Sequence, residues 1–160
     1  MSQAIDDCKC NFSNLRQACN NNNQILERLV DMNKEQHKFY ICKHCGNIIG
    51  MIESSGVTPV CCGDTMTELV PNTTDASAEK HVPVIKIDGN MVTVEVGSAP
   101  HPMTAEHHIS WIYIQTEKGG QRKTLDSTGA PSATFMITDD DKMLAAFAYC
   151  NLHGLWKSEV

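Results

Sequence analysis

Residues 149–156, YCNLHGLW, place a thiol and an imidazole three positions apart, at Cys150 and His153. A pair at this spacing could be a nucleophilic dyad, half of a zinc site, half of a copper site, or two buried residues without chemistry. What it does depends on which other residues converge on it.

Three further histidines have a claim. His81 is expected to open a strand in EKHVPVI, and His101 lies between Pro100 and Pro102, which stiffen its loop. His107 begins HHISWIYI, where strict alternation would put it on one face with Ile109, Trp111 and Tyr113, and His108 on the other. Four neutral imidazoles and one thiolate leave a divalent first-row metal one ligand short of octahedral, which is an open place for a small substrate. Zinc rarely takes five protein ligands, and copper electron-transfer sites use two His and one Cys with an axial Met. The stretch after His153, GLWKSEV, has no Met. Iron fits this donor set best, with the thiolate pushing electron density onto it.

A second group is made of sulfur. CKHCG supplies Cys42 and Cys45, and VCCG supplies Cys61 and Cys62, with Gly46 and Gly63 directly after each pair. Cys-x-x-Cys in a turn aims two thiolates at one point, while adjacent cysteines reach one ion only if the backbone kinks between them. Four thiolates in a tetrahedron suit zinc or iron, and ligand type alone does not choose between them. So small a module lacks a core of its own, and the metal would supply much of its stability. His44 reads as a surface imidazole, and Cys8, Cys10 and Cys19 as free thiols.

The elements that must position these groups separate by composition. Residues 1–38 are polar and Asn-rich, with Leu15, Ala18, Asn22, Ile25, Leu29 and Met32 at three- and four-residue steps. That pattern predicts an amphipathic helical extension or short coiled-coil seam. Residues 39–73 are Gly-punctuated and Cys-dense. Residues 74–160 read as short strands: VPVIKI and MVTVEV joined by DGN, then HISWIYIQT, a turn at Gly119-Gly120, SATFMI and KMLAAFAYC. The expected fold is mainly β, an antiparallel sandwich preceded by a small metal module.

At 160 residues with 41% hydrophobic and 20% charged residues, the chain reads as globular rather than disordered. A formal charge of −6 argues against nucleic acid or an anionic membrane as partner. No apolar run approaches the ~20 residues of a spanning helix, and the start has acids and asparagines where a signal peptide has a basic end. Cytoplasm is the expected location.

In order along the chain, CKHCGNII, VCCGDTM, EKHVPVI, VGSAPHPM, HISWI and YCNLHGLW resemble the motifs of the desulfoferrodoxins, two-iron superoxide reductases. The resemblance covers about residues 39–157; the N-terminal 38 residues depart from it. It implies a desulforedoxin-like, rubredoxin-type Fe(Cys)4 centre at Cys42, Cys45, Cys61 and Cys62. It further implies an immunoglobulin-like β-sandwich carrying an Fe(His)4Cys centre, with His81, His101, His107 and His153 equatorial and Cys150 axial. The six-residue step from His101 to His107 matches the family and selects His107 over His108.

The implied activity is one-electron reduction of superoxide to hydrogen peroxide, with re-reduction by a small donor such as rubredoxin. Two residues carry over with it: Glu79, as the carboxylate that occupies the sixth position of the oxidised iron, and Lys80, as the cation at the mouth. A homodimer is favoured by both the family and the heptad-like extension. A non-catalytic iron electron-transfer protein and a zinc-ribbon binding module are the competing readings.

Overall fold

The alternation in MVTVEV buries Val92, Val94 and Val96 and leaves Met91 exposed, so this strand presents one apolar face. It is β7 (Met91–Val96) in a computed structural model that describes residues 37–160. The helical extension expected over 1–38, apart from its last two residues, and Cys8, Cys10 and Cys19 lie outside the described residues. β7 pairs antiparallel with β6 (Pro83–Asp88), and the hairpin turns at Gly89, whose φ of +55° suits a residue without a Cβ. β10 (Ser132–Met136) pairs on the other side, giving the order β10-β7-β6.

A four-stranded antiparallel sheet faces this one, in the order β12-β11-β8-β9: β8 (Ile109–Thr116), β9 (Gly119–Thr124), β11 (Met143–Cys150) and β12 (Gly154–Glu159). The core between the sheets is Val92, Val94, Val96, Ile109, Ile112, Ile114, Phe135, Ala146, Ala148 and Cys150. The other face of β8 and β11 is also covered: Trp111, Ala145, Phe147 and Leu155 pack against Phe39. Double coverage explains why both strands read as nearly unbroken apolar runs.

Strict alternation fails in β8. The register skips Ser110, because Tyr149 opposes Trp111 and Cys150 opposes Ile109. This bulge sends Ile109 into the inter-sheet core beside Ile112 and Ile114, while Trp111 and Tyr113 turn to the outer face. The single face expected for Ile109, Trp111 and Tyr113 is therefore wrong. His107 precedes the strand, in a loop. β9 gave no sequence signal because GGQRKT is exposed throughout, and the expected turn at Gly119-Gly120 falls instead at Glu117-Lys118.

The segment before residue 73 forms a small sheet, β2-β1-β5, and a hairpin, β3-β4: β1 (Phe39–Ile41), β2 (Ile48–Gly50), β3 (Val60–Cys61), β4 (Asp64–Thr65) and β5 (Thr67–Glu68). Phe39 anchors it, with its ring 5.3 Å from Trp111 and 5.4 Å from both Tyr113 and Phe147. Aromatic pairs of this kind add ~0.5–1.5 kcal/mol beyond area burial. Asn72, at φ +59°, then ties the connecting chain to β12: its amide group bonds both N–H and C=O of Lys157, at 2.9 and 3.0 Å.

Candidate metal centres

The Cys-dense module closes on itself. Gly46 N–H donates to the Cys42 carbonyl at 2.9 Å, and Gly46 sits at φ +77°, which folds Cys45 back over Cys42. Cys62 stands at φ +53°, followed by Gly63 at φ +87°. This is the kink that adjacent cysteines need, and it stops Cys61 and Cys62 from pointing apart as strand neighbours. The four sulfurs lie within 4.8 Å of one another, with Cys45 and Cys61 3.7 Å apart and Cys61 and Cys62 3.9 Å apart. Neighbouring amides hold the Cys42 thiol down, at about 6, first through the Cys45 backbone. Its sulfur neighbours push Cys61 up, and Cys62 up to about 12. Four such sulfurs cannot ionise together without a cation between them. His44 points outward and bonds the Asp64 carboxylate at 2.6 Å.

The second group gathers at one end of the sandwich. His81 closes a single helical turn, α1 (Ala78–His81), instead of opening a strand as expected. Val82 N–H donates to the Ala78 carbonyl at 2.9 Å, and His81 Nδ1–H donates to the Ser77 carbonyl at 2.7 Å. The turn is held by the 97–99 loop, where Gly97 and Ala99 amides donate to Val82 and Glu79 carbonyls at 3.1 and 2.9 Å. Gly97 has φ +83°, and a Cβ there would lie 2.7 Å from the Lys80 carbonyl oxygen. That loop leads to His101, whose Nδ1–H donates to the Pro102 carbonyl at 2.6 Å. Cys150 ends β11, and a three-residue turn brings His153 back before Gly154 pairs with Cys150.

The four imidazoles form a ring. Successive centroids are 4.7 Å (His81–His101), 4.6 Å (His101–His107), 4.9 Å (His107–His153) and 4.7 Å (His153–His81) apart, each pair tilted by 72–79°. His81 and His107 face each other across it at 6.3 Å. His81 Nε2 lies 3.0 Å from His153 Nδ1, and Cys150 Sγ lies 3.5 Å from that same nitrogen. All five donor atoms fall within 4.8 Å of one another. Burial lowers the pKa of His81, His101 and His107, in His101 to about 4, which favours the neutral, ligating form.

A metal fits this arrangement. His101 Nε2 and His107 Nε2 are buried with no hydrogen-bond partner, and such orphaned acceptors are costly unless something unseen meets them. His81 and His101 give their Nδ1–H groups to outer carbonyls, which frees each Nε2 lone pair for the centre. Cys150 is fully buried, so the sulfur approaches from the core side. Glu79 and Lys80 are exposed on α1, immediately before His81. A hydrogen bond from Ser77 lowers the pKa of the Glu79 carboxyl.

Two supporting residues escaped the sequence reading. Trp156 is buried beside His81, and its only signal was its place in HGLW. Ser77 acts through its backbone carbonyl, which no residue type announces.

Fold and site together define a β protein with two mononuclear metal sites, one of four thiolates and one of four imidazoles and a thiolate. The Desulfoferrodoxin family model matches residues 73–159, and the Desulfoferrodoxin N-terminal domain model matches residues 34–69. The chain belongs to the desulfoferrodoxin family. It is 43% identical over 124 residues to the desulfoferrodoxin of Nitratidesulfovibrio vulgaris, covering 78% of this chain and 97% of that one. It is 43% identical over 104 residues to the superoxide reductase of Pyrococcus horikoshii, covering 54% of this chain and 90% of that one. The crystal structure of the superoxide reductase from Treponema pallidum superimposes with a TM-score of 0.67 at 39% identity, covering 78% of this chain and all of that one.

Proposed function

We propose that the chain is a superoxide reductase that takes superoxide, one electron and two protons to hydrogen peroxide. The observation that carries this reading is the five-donor group of His81, His101, His107, His153 and Cys150, in which two buried ring nitrogens have no hydrogen-bond partner. Ferrous iron held by these five residues would supply the electron and a place for a small anion to bind.

The chain's own residues do the rest. Cys150 and His153, fixed by one short hairpin, hold sulfur and nitrogen at a set angle. Lys80, exposed beside His81, reverses the acidic field of the molecule at the mouth and draws in the anion. Its ammonium also orders the water that delivers protons to the reduced oxygen. Glu79, exposed next to Lys80, would be the carboxylate that meets the oxidised iron. Cys42, Cys45, Cys61 and Cys62 would hold a second iron, which would supply an electron-transfer centre for a rubredoxin-like donor.

The organisation that goes with this reading has a desulforedoxin-like module over 39–73 and a reductase domain over 74–160. Sheets of three and four antiparallel strands support an immunoglobulin-like sandwich. Homodimerisation and a cytoplasmic location complete the proposal; among the described residues no helix is long and apolar enough to cross a membrane.

The test is pulse-generated superoxide against anaerobically reduced protein. Fast, stoichiometric oxidation of the His4Cys site with peroxide as product is expected. No such oxidation would leave only an electron carrier, and two zinc ions with no iron per chain would leave a structural module.

A further inference from the structure

Asn151 is the first residue of the turn between Cys150 and His153, and its side chain reaches out of that turn. Its Oδ1 accepts the His108 amide N–H at 2.9 Å, and its Nδ2 donates to the Glu106 carbonyl at 2.8 Å. Its own amide N–H donates to the His108 carbonyl at 3.2 Å. Glu106 and His108 flank His107. One residue thus grips the chain on both sides of a ligand that belongs to a different segment.

His107 is the ligand that needs such a grip. The rings of His81 and His101 are each fixed by an Nδ1–H bond to a carbonyl. His153 is carried by the same hairpin as Cys150. His107 lies in a loop outside any strand, and its buried Nε2 has no partner. Thr104 closes that loop on itself, accepting from the His107 N–H at 3.1 Å and donating to the His107 carbonyl at 2.9 Å. Those bonds shape the loop without joining it to the hairpin. The three Asn151 bonds join it.

We propose that Asn151 is a positioning residue that couples His107 to the Cys150–His153 hairpin, so that three of the five ligands are set as one unit. It touches neither the metal nor the substrate. The inference rests on reading the five residues as a single iron site. Removing an outer-shell partner of a metal ligand typically lowers metal affinity ~10–100-fold, and a loss of that order is expected here.

The experiment compares Asn151→Ala, Asn151→Asp and Leu152→Ala in the full chain. Leu152 is exposed in the same turn and controls for general disturbance of the hairpin. The readouts are ferrous-iron affinity at the His4Cys site by chelator competition, the EPR signal of that site when oxidised, and exchange of the His108 amide in metal-free protein. Asn151→Ala should lower affinity ~10–100-fold, change the EPR signal of this site but not of the four-thiolate site, and speed His108 exchange. Asn151→Asp keeps the acceptor for His108 but loses the donor to Glu106; it should keep His108 protected and fall between the other two in affinity. Leu152→Ala should match the parent.

Parent-like affinity and EPR in Asn151→Ala overturn the proposal. If that variant does not fold, parent-like affinity in Asn151→Asp overturns it equally. A parent protein that binds no iron at the His4Cys group fails at the earlier step, the reading of the site itself.

Discussion

The indole of Trp156 lies over the imidazole of His81, with ring centroids 4.8 Å apart and planes 22° from parallel. The same indole donates its N–H to the His153 carbonyl at 3.1 Å. One buried side chain therefore holds two ligands from opposite ends of the sandwich sequence, one by stacking and one by a hydrogen bond.

These two roles can be separated. Trp156→Phe keeps an aromatic face against His81 but leaves the His153 carbonyl without its donor, at a cost of ~1 kcal/mol. Trp156→Ala removes both and opens a cavity, costing ~3–5 kcal/mol. Thermal unfolding should rank the variants in that order. Iron retention at the His4Cys site should survive the first change and drop in the second. Equal iron loss in both would make the hydrogen bond, not the stack, the part that matters.

Gly97 makes the His81 turn possible. At φ +83°, with a Cβ contact of 2.5 Å to the Ala99 carbonyl oxygen and 2.7 Å to that of Lys80, any side chain forces the two segments apart. Backbone strain of this kind costs ~1–3 kcal/mol. Gly97→Ala should therefore lower the melting temperature and weaken iron at the His4Cys site, leaving the four-thiolate absorption in place. A parent-like visible spectrum and melting curve would show that the loop can move aside.

Cys42→Ser tests the independence of the two sites. Cys42 belongs to a small cluster with Tyr40 and Met66, whereas the inter-sheet core is built from β7, β8, β10 and β11. The substitution should empty the four-thiolate site, visible as loss of its thiolate-to-iron absorption. Single-turnover oxidation by superoxide should stay close to the parent rate. Loss of that reaction as well would make the first site a requirement for chemistry or folding.

Part of the ligand set was legible from its neighbours: Pro100 and Pro102 stiffen the chain around His101, and Gly46, Gly63 and Gly154 free the backbone to turn after the thiol pairs and His153. His107, by contrast, was separated from His108 only by the family's six-residue step from His101. The strands of the core were legible wherever burial is one-sided, as in β7. Alternation failed at Ser110, because a bulge there reverses the faces of β8 and no residue type marks it. β9 was silent because none of its side chains is buried. The grip on His107 was silent for another reason: it runs from the Asn151 side chain to backbone groups 43 and 45 residues away, and backbone groups are the same in every sequence.

His37 gives the described domain a pH-dependent contact. Its Nδ1 and the Tyr113 hydroxyl share a hydrogen bond of 2.7 Å, and burial, then the Lys157 charge, lowers its pKa from 6.5. The unfolded chain therefore takes up a proton at this position before the folded one does. Stability falls as pH drops below the unfolded value and levels off only below the folded one. Urea unfolding at about pH 7.5 and about pH 5 should show a smaller loss in His37→Gln than in the parent. Equal losses would assign the pH dependence to other groups.

Lys80 carries the last prediction. The molecule has a formal charge of −6, so its net field repels an anionic substrate. Lys80 is exposed one residue before the buried His81, and the proposed function gives its positive charge the task of drawing in the anion. Lys80→Ala should slow superoxide capture on the order of tenfold at low ionic strength, because steering acts on encounter rate. Added salt should slow the parent more than the variant, since screening removes an attraction that the variant no longer has. Lys80→Arg keeps the charge and should recover both the rate and its salt dependence. Pulse radiolysis over a range of salt concentrations measures all three. A second-order rate in Lys80→Ala equal to that of the parent would remove Lys80 from capture and leave it only the ordering of proton-donating water.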